Sequence, residues 1–342
     1  MTAVFCHAAA DRKAATWDEQ LAPFTRLEFA VSDAAKGIAK AVAQRAAARR
    51  DDPSVPPLEH GLDVFHTAME AHRVLARQWR RAEAAWEKAE GADAEVAGAK
   101  RQGIDARGPA ATAGAAWRRA IAAYEEAQRR ESAWDRAAAA LEVFDRDGRL
   151  NDRARAAAEI AAALKDLTGP EWSKVRNALT DPRSLIFLDR MHRRLEAAEP
   201  RADWREAMAW RWWLRHGRVG ASDPLTELLR EVARGRGLDE EERASYDRVA
   251  AVLGDTVRAS SAVECMNSVL RMQQSRHRRM TQPMLDLKRL YWNCRPFRSG
   301  PRKDTCPYRA LGLELPTYDF WELLHADPAL LTQQLSTQGN AV

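Results

Sequence analysis

Three acidic residues far apart in the chain sit where a carboxylate could do chemistry: Asp33 in FAVSDAAKG, Asp63 in LDVFH and Glu264 in SSAVECMNSVLR. Hard carboxylate oxygens suit Mg²⁺ or Mn²⁺, ions that keep several waters and need few protein ligands. Two such ions about 4 Å apart serve polynucleotidyl transfer, one activating a water or 3′-hydroxyl and the other stabilising the leaving oxygen. Asp33 ends a strand-like run, so its carboxylate would leave the C-terminal edge of a sheet, the usual ligand side of α/β units. Asp63 precedes His66 by three residues, an Asp-x-x-His pair.

Each of these residues also has a purely structural reading. Asp33 can cap a helix that starts at Ala34. Asp63 can end a strand while His66 packs at a helix start. Ser261-x-x-Glu264 is a capping box, so Glu264 can serve its own helix. On that helix Glu264, Asn267, Ser268 and Arg271 share one face, with Val263, Met266 and Leu270 opposite. The helix can therefore lie on a sheet and present Glu264, Asn267 and Arg271 outward. From Arg271 to Arg302 the chain is basic, with Arg276, Arg278, Arg279, Lys288 and Arg295 among its cations and Asp286 the one acid. Such a run suits either a phosphate backbone or a solvated helix face.

The elements that must position these residues can be sketched from periodicity. The spacing predicts short helices at 14–24 and 34–50, with strands at 26–32 and 61–66. A strand, helix and strand of these lengths form a βαβ unit with parallel strands. From 67 to about 280 the pattern is helical. Thr67-x-x-Glu70 looks like a capping box. Leu75, Trp79, Ala82 and Trp86 share one face, as do Trp117, Ile121 and Tyr124, and residues 91–114 read as a Gly/Ala linker closing a long hairpin. Further helices are expected at 152–167, 170–179, 182–197, 201–216, 223–234, 239–254 and 283–293. Asn151 or Asp152 would cap the first of them. Three domains follow: 1–66 as a partial α/β core, 67–256 as an all-helical insertion, and 257–342 as a helix bearing Glu264 with a basic tail.

The chain has 342 residues, 46% hydrophobic and 30% charged, with 54 basic against 49 acidic residues. That is a globular balance with a mild basic excess, compatible with nucleic acid as partner. No apolar run has the length of a membrane span, and the start has no signal-peptide core, so a cytoplasmic location is expected. The four cysteines form no CxxC pair and read as free thiols. No P-loop, HExxH or GxSxG word occurs, which leaves other common enzyme classes without a foothold.

Taken together, VSDAAKGI around Asp33, the Asp63–His66 pair, SSAVE…NSVLR around Glu264 and the tail YWNCRPFRSG…CPYRALGLELPTYDFWELL resemble bacterial insertion-sequence transposases of the DDE type. The resemblance runs from about Arg12 to Leu324 and is strongest at both ends. It implies a mainly α chain: a partial RNase H-like α/β core with short parallel strands, interrupted by a large all-helical insertion. It implies that Asp33 and Glu264 are the second and third catalytic carboxylates and hold Mg²⁺ or Mn²⁺ in a two-metal site. Asp63 and His66 would lie near that site or help hold DNA. Asn267, Arg271, Arg276, Arg278, Arg279, Lys288 and Arg295 would contact DNA. In related enzymes an insertion-domain Trp can stack on a flipped base; Trp212, between Arg211 and Arg215, is the candidate here, although most tryptophans should be core.

The family's first Asp has no counterpart in this chain, and Ala34 stands where the family often has Gly. The chain is therefore expected to be the C-terminal portion of such an enzyme. Its implied partners are transposon ends and target DNA, a second copy, or an upstream transposase segment, with no membrane. The implied location is the bacterial cytoplasm, on the nucleoid. The alternative is a catalytically dead remnant that binds DNA or transposase.

Overall fold

Asp63 starts the longest helix among the described residues. Its backbone is extended and its side chain accepts from Phe65 N at 2.9 Å, which caps a helix running Val64–Arg101. The computed structural model describes residues 11–33, 35–50, 52, 54–145, 147–216, 228, 231, 237–258, 281–298, 303–310, 312–331 and 333. The described elements are α1 (Ala14–Leu21), β1 (Phe29–Ser32), α2 (Lys36–Arg49), β2 (Glu59–Leu62), α3 (Val64–Arg101), α4 (Arg107–Ala140), α5 (Arg153–Ala163), α6 (Ser173–Thr180), α7 (Ile186–Ala198), α8 (Ala202–His216), α9 (Glu240–Gly254), α10 (Gln282–Cys294), α11 (Pro307–Ala310) and α12 (Phe320–His325). The protein is thus mainly helical, with one small sheet among the described residues, as its periodicity indicates.

The chain divides into two units, one of residues 17–261 and one of 1–16 with 262–342. In the first, β1 and β2 pair in parallel with Phe29 opposite Glu59 and Ser32 opposite Leu62, joined through α2. The parallel βαβ unit expected from the sequence is present. Its second strand differs from expectation: it covers 59–62 rather than 61–66. Asp63 and His66 belong to the start of α3, because the Asp63 cap begins the helix before Thr67.

The α3–α4 hairpin is closed by a short turn at 102–106, not by a long linker. Residues 91–101 hold four alanines with Glu95, Lys100 and Arg101, whose helix propensity offsets a cost of about 1 kcal/mol for each of Gly91 and Gly98. Gly103 makes the turn at φ +67°. The seam of the hairpin is alanine. Ala82 and Ala89 on α3, and Ala113, Ala120 and Ala127 on α4, are buried at seven-residue spacing. Small side chains let the two helices approach closely, which leaves Trp86, Ile121 and Tyr124 at 39%, 47% and 44% exposure instead of in the core. The larger core lies at the base, where Trp134, Leu141, Leu167, Trp172, Leu188, Met191 and Leu195 are fully enclosed.

Caps follow the sequence where the side chains allow it. Asp152 accepts from Arg155 N at 2.9 Å and starts α5, while Asn151 is buried and donates to the carbonyl of Ala140 at 3.0 Å. Asp239 and Glu242 form a complete capping box on α9. Buried Glu199 ties the end of α7 to α9. It accepts from Arg201 Nε at 2.8 Å, Ser245 Oγ at 2.6 Å and Arg248 Nη2 at 2.6 Å.

In the second unit, α10 covers the helix expected at 283–293. Cys294 and Cys306 are buried and free. Burial, helped by Cys306 nearby, pushes the Cys294 thiol up to about 11, so it stays protonated and unreactive at neutral pH. Asp319 caps α12 by accepting from Trp321 N and Glu322 N.

Candidate functional site

The C-terminal ends of β1 and β2 open onto a cavity of about 520 Å³. Asp33 follows Ser32 and Asp63 follows Leu62, so the register of the sheet sets the two acidic residues side by side at one edge. Both line the cavity, together with His66, Thr67 and Glu70 from α3, Lys174 and Asn177 from α6, and Asp181 and Arg183 from the turn that follows it. The whole site lies within the first unit.

The two carboxylates are held differently. Asp33 is exposed, and its Oδ1 accepts from Ala35 N at 3.1 Å, a local turn ahead of α2; the helix starts at Lys36 with Ala35 as its N-cap and no side-chain cap bond, so Asp33 is not the cap of a helix starting at Ala34. Asp63 is fully buried. Its Oδ1 takes Phe65 N, and its Oδ2 takes His66 Nδ1 at 2.6 Å. In the neutral ring that bond puts the proton on Nδ1 and the lone pair on Nε2. A carboxylate-held imidazole of this kind can accept a proton or ligate a metal. The His66 side chain is 29% exposed.

A second histidine braces the same edge. Arg183 donates to His60 Nδ1 at 3.4 Å, so the ring carries its proton on Nε2 and donates it to Ser32 Oγ at 2.7 Å. The Ser32 hydroxyl then donates to the carbonyl of Asp33 at 3.0 Å. Burial, with the Arg183 guanidinium beside it, brings His60 down to about 4. His60 is therefore neutral and a donor to Ser32, so it cannot activate that hydroxyl as a nucleophile. The chain Arg183–His60–Ser32–Asp33 fixes the backbone at the strand end. Asp181 holds Arg183 at 2.6 Å, and this hydrogen bond lowers the Asp181 carboxyl.

The remaining charges are unequal. Glu70 is paired with Arg73 at 2.8 Å. Lys174 is exposed and makes no ion pair among the described residues, so its ammonium can meet an anion in the cavity. Lys174, Asp181, Arg183 and His60 were not singled out by sequence reasoning. The Asp181-Pro182 word marks a helix boundary, and nothing in its spacing from Asp33 shows that the turn folds back onto the sheet.

A divalent ion can be tested against these donors. The exposed Asp33 carboxylate is a hard oxygen ligand that fits Mg²⁺ or Mn²⁺. Asp63 has no exposed side-chain surface, and its oxygens serve Phe65 N and His66 Nδ1, so it orients His66 rather than presenting a ligand oxygen to the cavity. No group of three or more His, Cys, Asp or Glu side chains is arranged to hold a metal among the described residues. Glu264, Asn267, Arg271, Arg276, Arg278 and Arg279 lie outside the described residues. The last described residue before them is Arg258, whose carbonyl accepts from Val64 N at 3.1 Å, immediately beside Asp63.

The other candidates are described. Trp212 is packed on the core, stacked on Phe144 at 5.7 Å and on His216 at 4.8 Å. Trp213 also packs there, whereas Trp210 is 39% exposed. Lys288 is half-buried on α10, and Arg295 is exposed at its end beside Tyr291 and Trp321. Among the described residues, no helix is long and apolar enough to cross a membrane. No family model, curated protein or solved structure matches the chain.

Proposed function

We propose that the protein is a DNA transposase of the DDE type, cutting and joining DNA strands with Mg²⁺ or Mn²⁺. The observation that carries the reading is the convergence of Asp33 and the Asp63–His66 pair on one cavity at the C-terminal edge of parallel strands. Those are the positions where the resemblance places the second carboxylate and its companion motif. The two strands and α2 would be part of an RNase H-like core, and α3 to α9 the helical insertion.

In this reading Asp33 and Glu264 hold the metal, which when bound polarises the phosphodiester and acidifies an attacking hydroxyl. Asp63 fixes the His66 tautomer, and Nε2 takes a proton from the nucleophile or a water. Lys174 meets a phosphate oxygen. Arg183 and His60 hold the Asp33 backbone still. Arg271, Arg276, Arg278, Arg279, Lys288 and Arg295 supply positive charge, and Asn267 a neutral hydrogen-bonding amide, for the DNA backbone in the cytoplasm, on nucleoid DNA. Trp212, stacked inside the core, is a poorer choice for a flipped base than an exposed ring.

A second reading is a catalytically dead relative that binds DNA or transposase without metal chemistry; what favours it is that Asp33 has no cluster of His, Cys, Asp or Glu around it arranged to hold a metal among the described residues. Replacing Mg²⁺ by Fe²⁺ with ascorbate and peroxide separates the two, because hydroxyl radicals cut the chain near a bound iron. The transposase reading expects cuts near Asp33 and near Glu264, both lost in Asp33→Asn. Cuts at neither place, with salt-sensitive DNA retention, would leave the binding reading alone.

A further inference from the structure

The α3–α4 hairpin carries aromatic rings that neither the core nor the cavity uses. Trp79 meets Tyr124 edge to face, with centroids 5.2 Å apart at 76°. Trp86 meets Trp117 at 5.0 Å and 88°, and Tyr124 at 6.2 Å and 53°. In an edge-to-face pair one ring's edge covers one face of its partner, which leaves the other faces outside the contact, and Trp86 and Tyr124 stay 39% and 44% exposed. Trp79, Trp86 and Tyr124 wall a cavity of about 400 Å³ with Ala82, Glu83 and Glu87.

Two further observations say what the cavity takes. The indole N–H groups are anchored by carboxylates, Trp86 Nε1 on Glu90 at 3.2 Å and Trp117 Nε1 on Asp93 at 2.6 Å, so the rings are set before anything binds. Glu83 and Glu87 are exposed and make no ion pair among the described residues, whereas Glu70 and Glu126 on the same hairpin are paired with Arg73 and Arg130. Four residues apart, Glu83 and Glu87 project from one side of α3. Open π faces beside two unpaired carboxylates attract a cation and repel a phosphate. A guanidinium answers both features, since it stacks flat on a ring and offers forked donors to a carboxylate.

We propose that Trp79, Trp86 and Tyr124, with Glu83 and Glu87, form a docking site for an arginine side chain presented by a partner polypeptide. The site belongs to the hairpin alone and does not depend on the chemistry at Asp33.

The test uses the full chain and follows tryptophan indole ¹H–¹⁵N signals by NMR. The probe is acetyl-Gly-Arg-Gly-amide, compared with the neutral citrulline analogue, the lysine analogue and single-stranded oligothymidylate. The proposal expects saturable shifts of the Trp79 and Trp86 signals with the arginine peptide and binding at least about tenfold weaker for citrulline. Trp86→Ala should weaken arginine binding about tenfold. The Glu83→Gln, Glu87→Gln double variant, which keeps every ring, should weaken it too, and so should added salt. Equal shifts from citrulline, stronger shifts from the oligonucleotide or the lysine peptide, or unchanged affinity in the Gln variant would overturn it. The decapeptide of residues 271–280 is a further arm. If it binds while the chain self-associates, the partner is a second copy.

Discussion

His66 Nδ1 lies 2.6 Å from Asp63 Oδ2, and the Asp63 side chain has no exposed surface. One carboxylate therefore does two things: it caps a helix of 38 residues, and it orients the imidazole that lines the cavity. Stability and site geometry are coupled at this point.

Asp63→Ala should leave both Phe65 N and His66 Nδ1 without their acceptor. The expected loss is about 2–3 kcal/mol in urea unfolding, a cap plus a buried hydrogen bond. Asp63→Asn keeps one acceptor oxygen and should cost less than half as much. Equal costs for the two would mean that the cap contributes little.

The alanine seam makes an opposite pair of expectations at neighbouring positions. Ala120→Leu should destabilise by about 1–3 kcal/mol, because the helices have no room for the larger side chain. Ile121→Ala should stay within about 0.5 kcal/mol, since Ile121 is largely solvated. The reverse order in chemical denaturation would restore the aromatic face as the core of the hairpin.

How far the sequence leads is clear from these residues. The parallel strand pair, the hairpin and most helix limits are legible, because Pro, Gly and capping residues act locally. The cap before α5 is narrowed to Asn151 or Asp152, and Asp152 takes it while Asn151 is buried. The seam is not legible: Trp79, Ala82 and Trp86 fit the same period, and only the partner helix decides that alanine goes in and Trp86 toward the rim. The start of α3 is misplaced for a similar reason, as Thr67-x-x-Glu70 imitates a cap that Asp63 already provides. At the cavity, Asp33, Asp63 and His66 are visible in local words. Lys174 and Arg183 come from more than a hundred residues away, and no spacing connects them to the sheet.

Acid should weaken the fold in two stages. His60 is held at about 4, below its ordinary value of 6.5, so the unfolded chain takes up its proton first as pH falls. Its contribution is complete above pH 6.5 and is lost between 6.5 and about 4. The Arg201 guanidinium, with Ser245 and Arg248, holds the Glu199 carboxyl far below its ordinary value of 4.5, so stability falls further below pH 4.5. Thermal melts from pH 8 to 4 should show a decline that begins near 6.5 and steepens below 4.5. His60→Gln should flatten the upper part and Glu199→Gln the lower. A melting temperature constant from pH 6.5 to 4.5 would contradict the reading of His60.

Divalent-ion-dependent cutting of DNA tests the central claim most directly. A labelled duplex bearing the DNA that flanks the coding sequence would be incubated with Mg²⁺ or Mn²⁺ and the chain, alone and joined to the segment encoded immediately upstream. The account predicts nicking by at least one of these proteins, abolished by Asp33→Asn and by Glu264→Gln and reduced by His66→Ala. No nicking by either protein, or nicking that survives Asp33→Asn and Glu264→Gln, would contradict it.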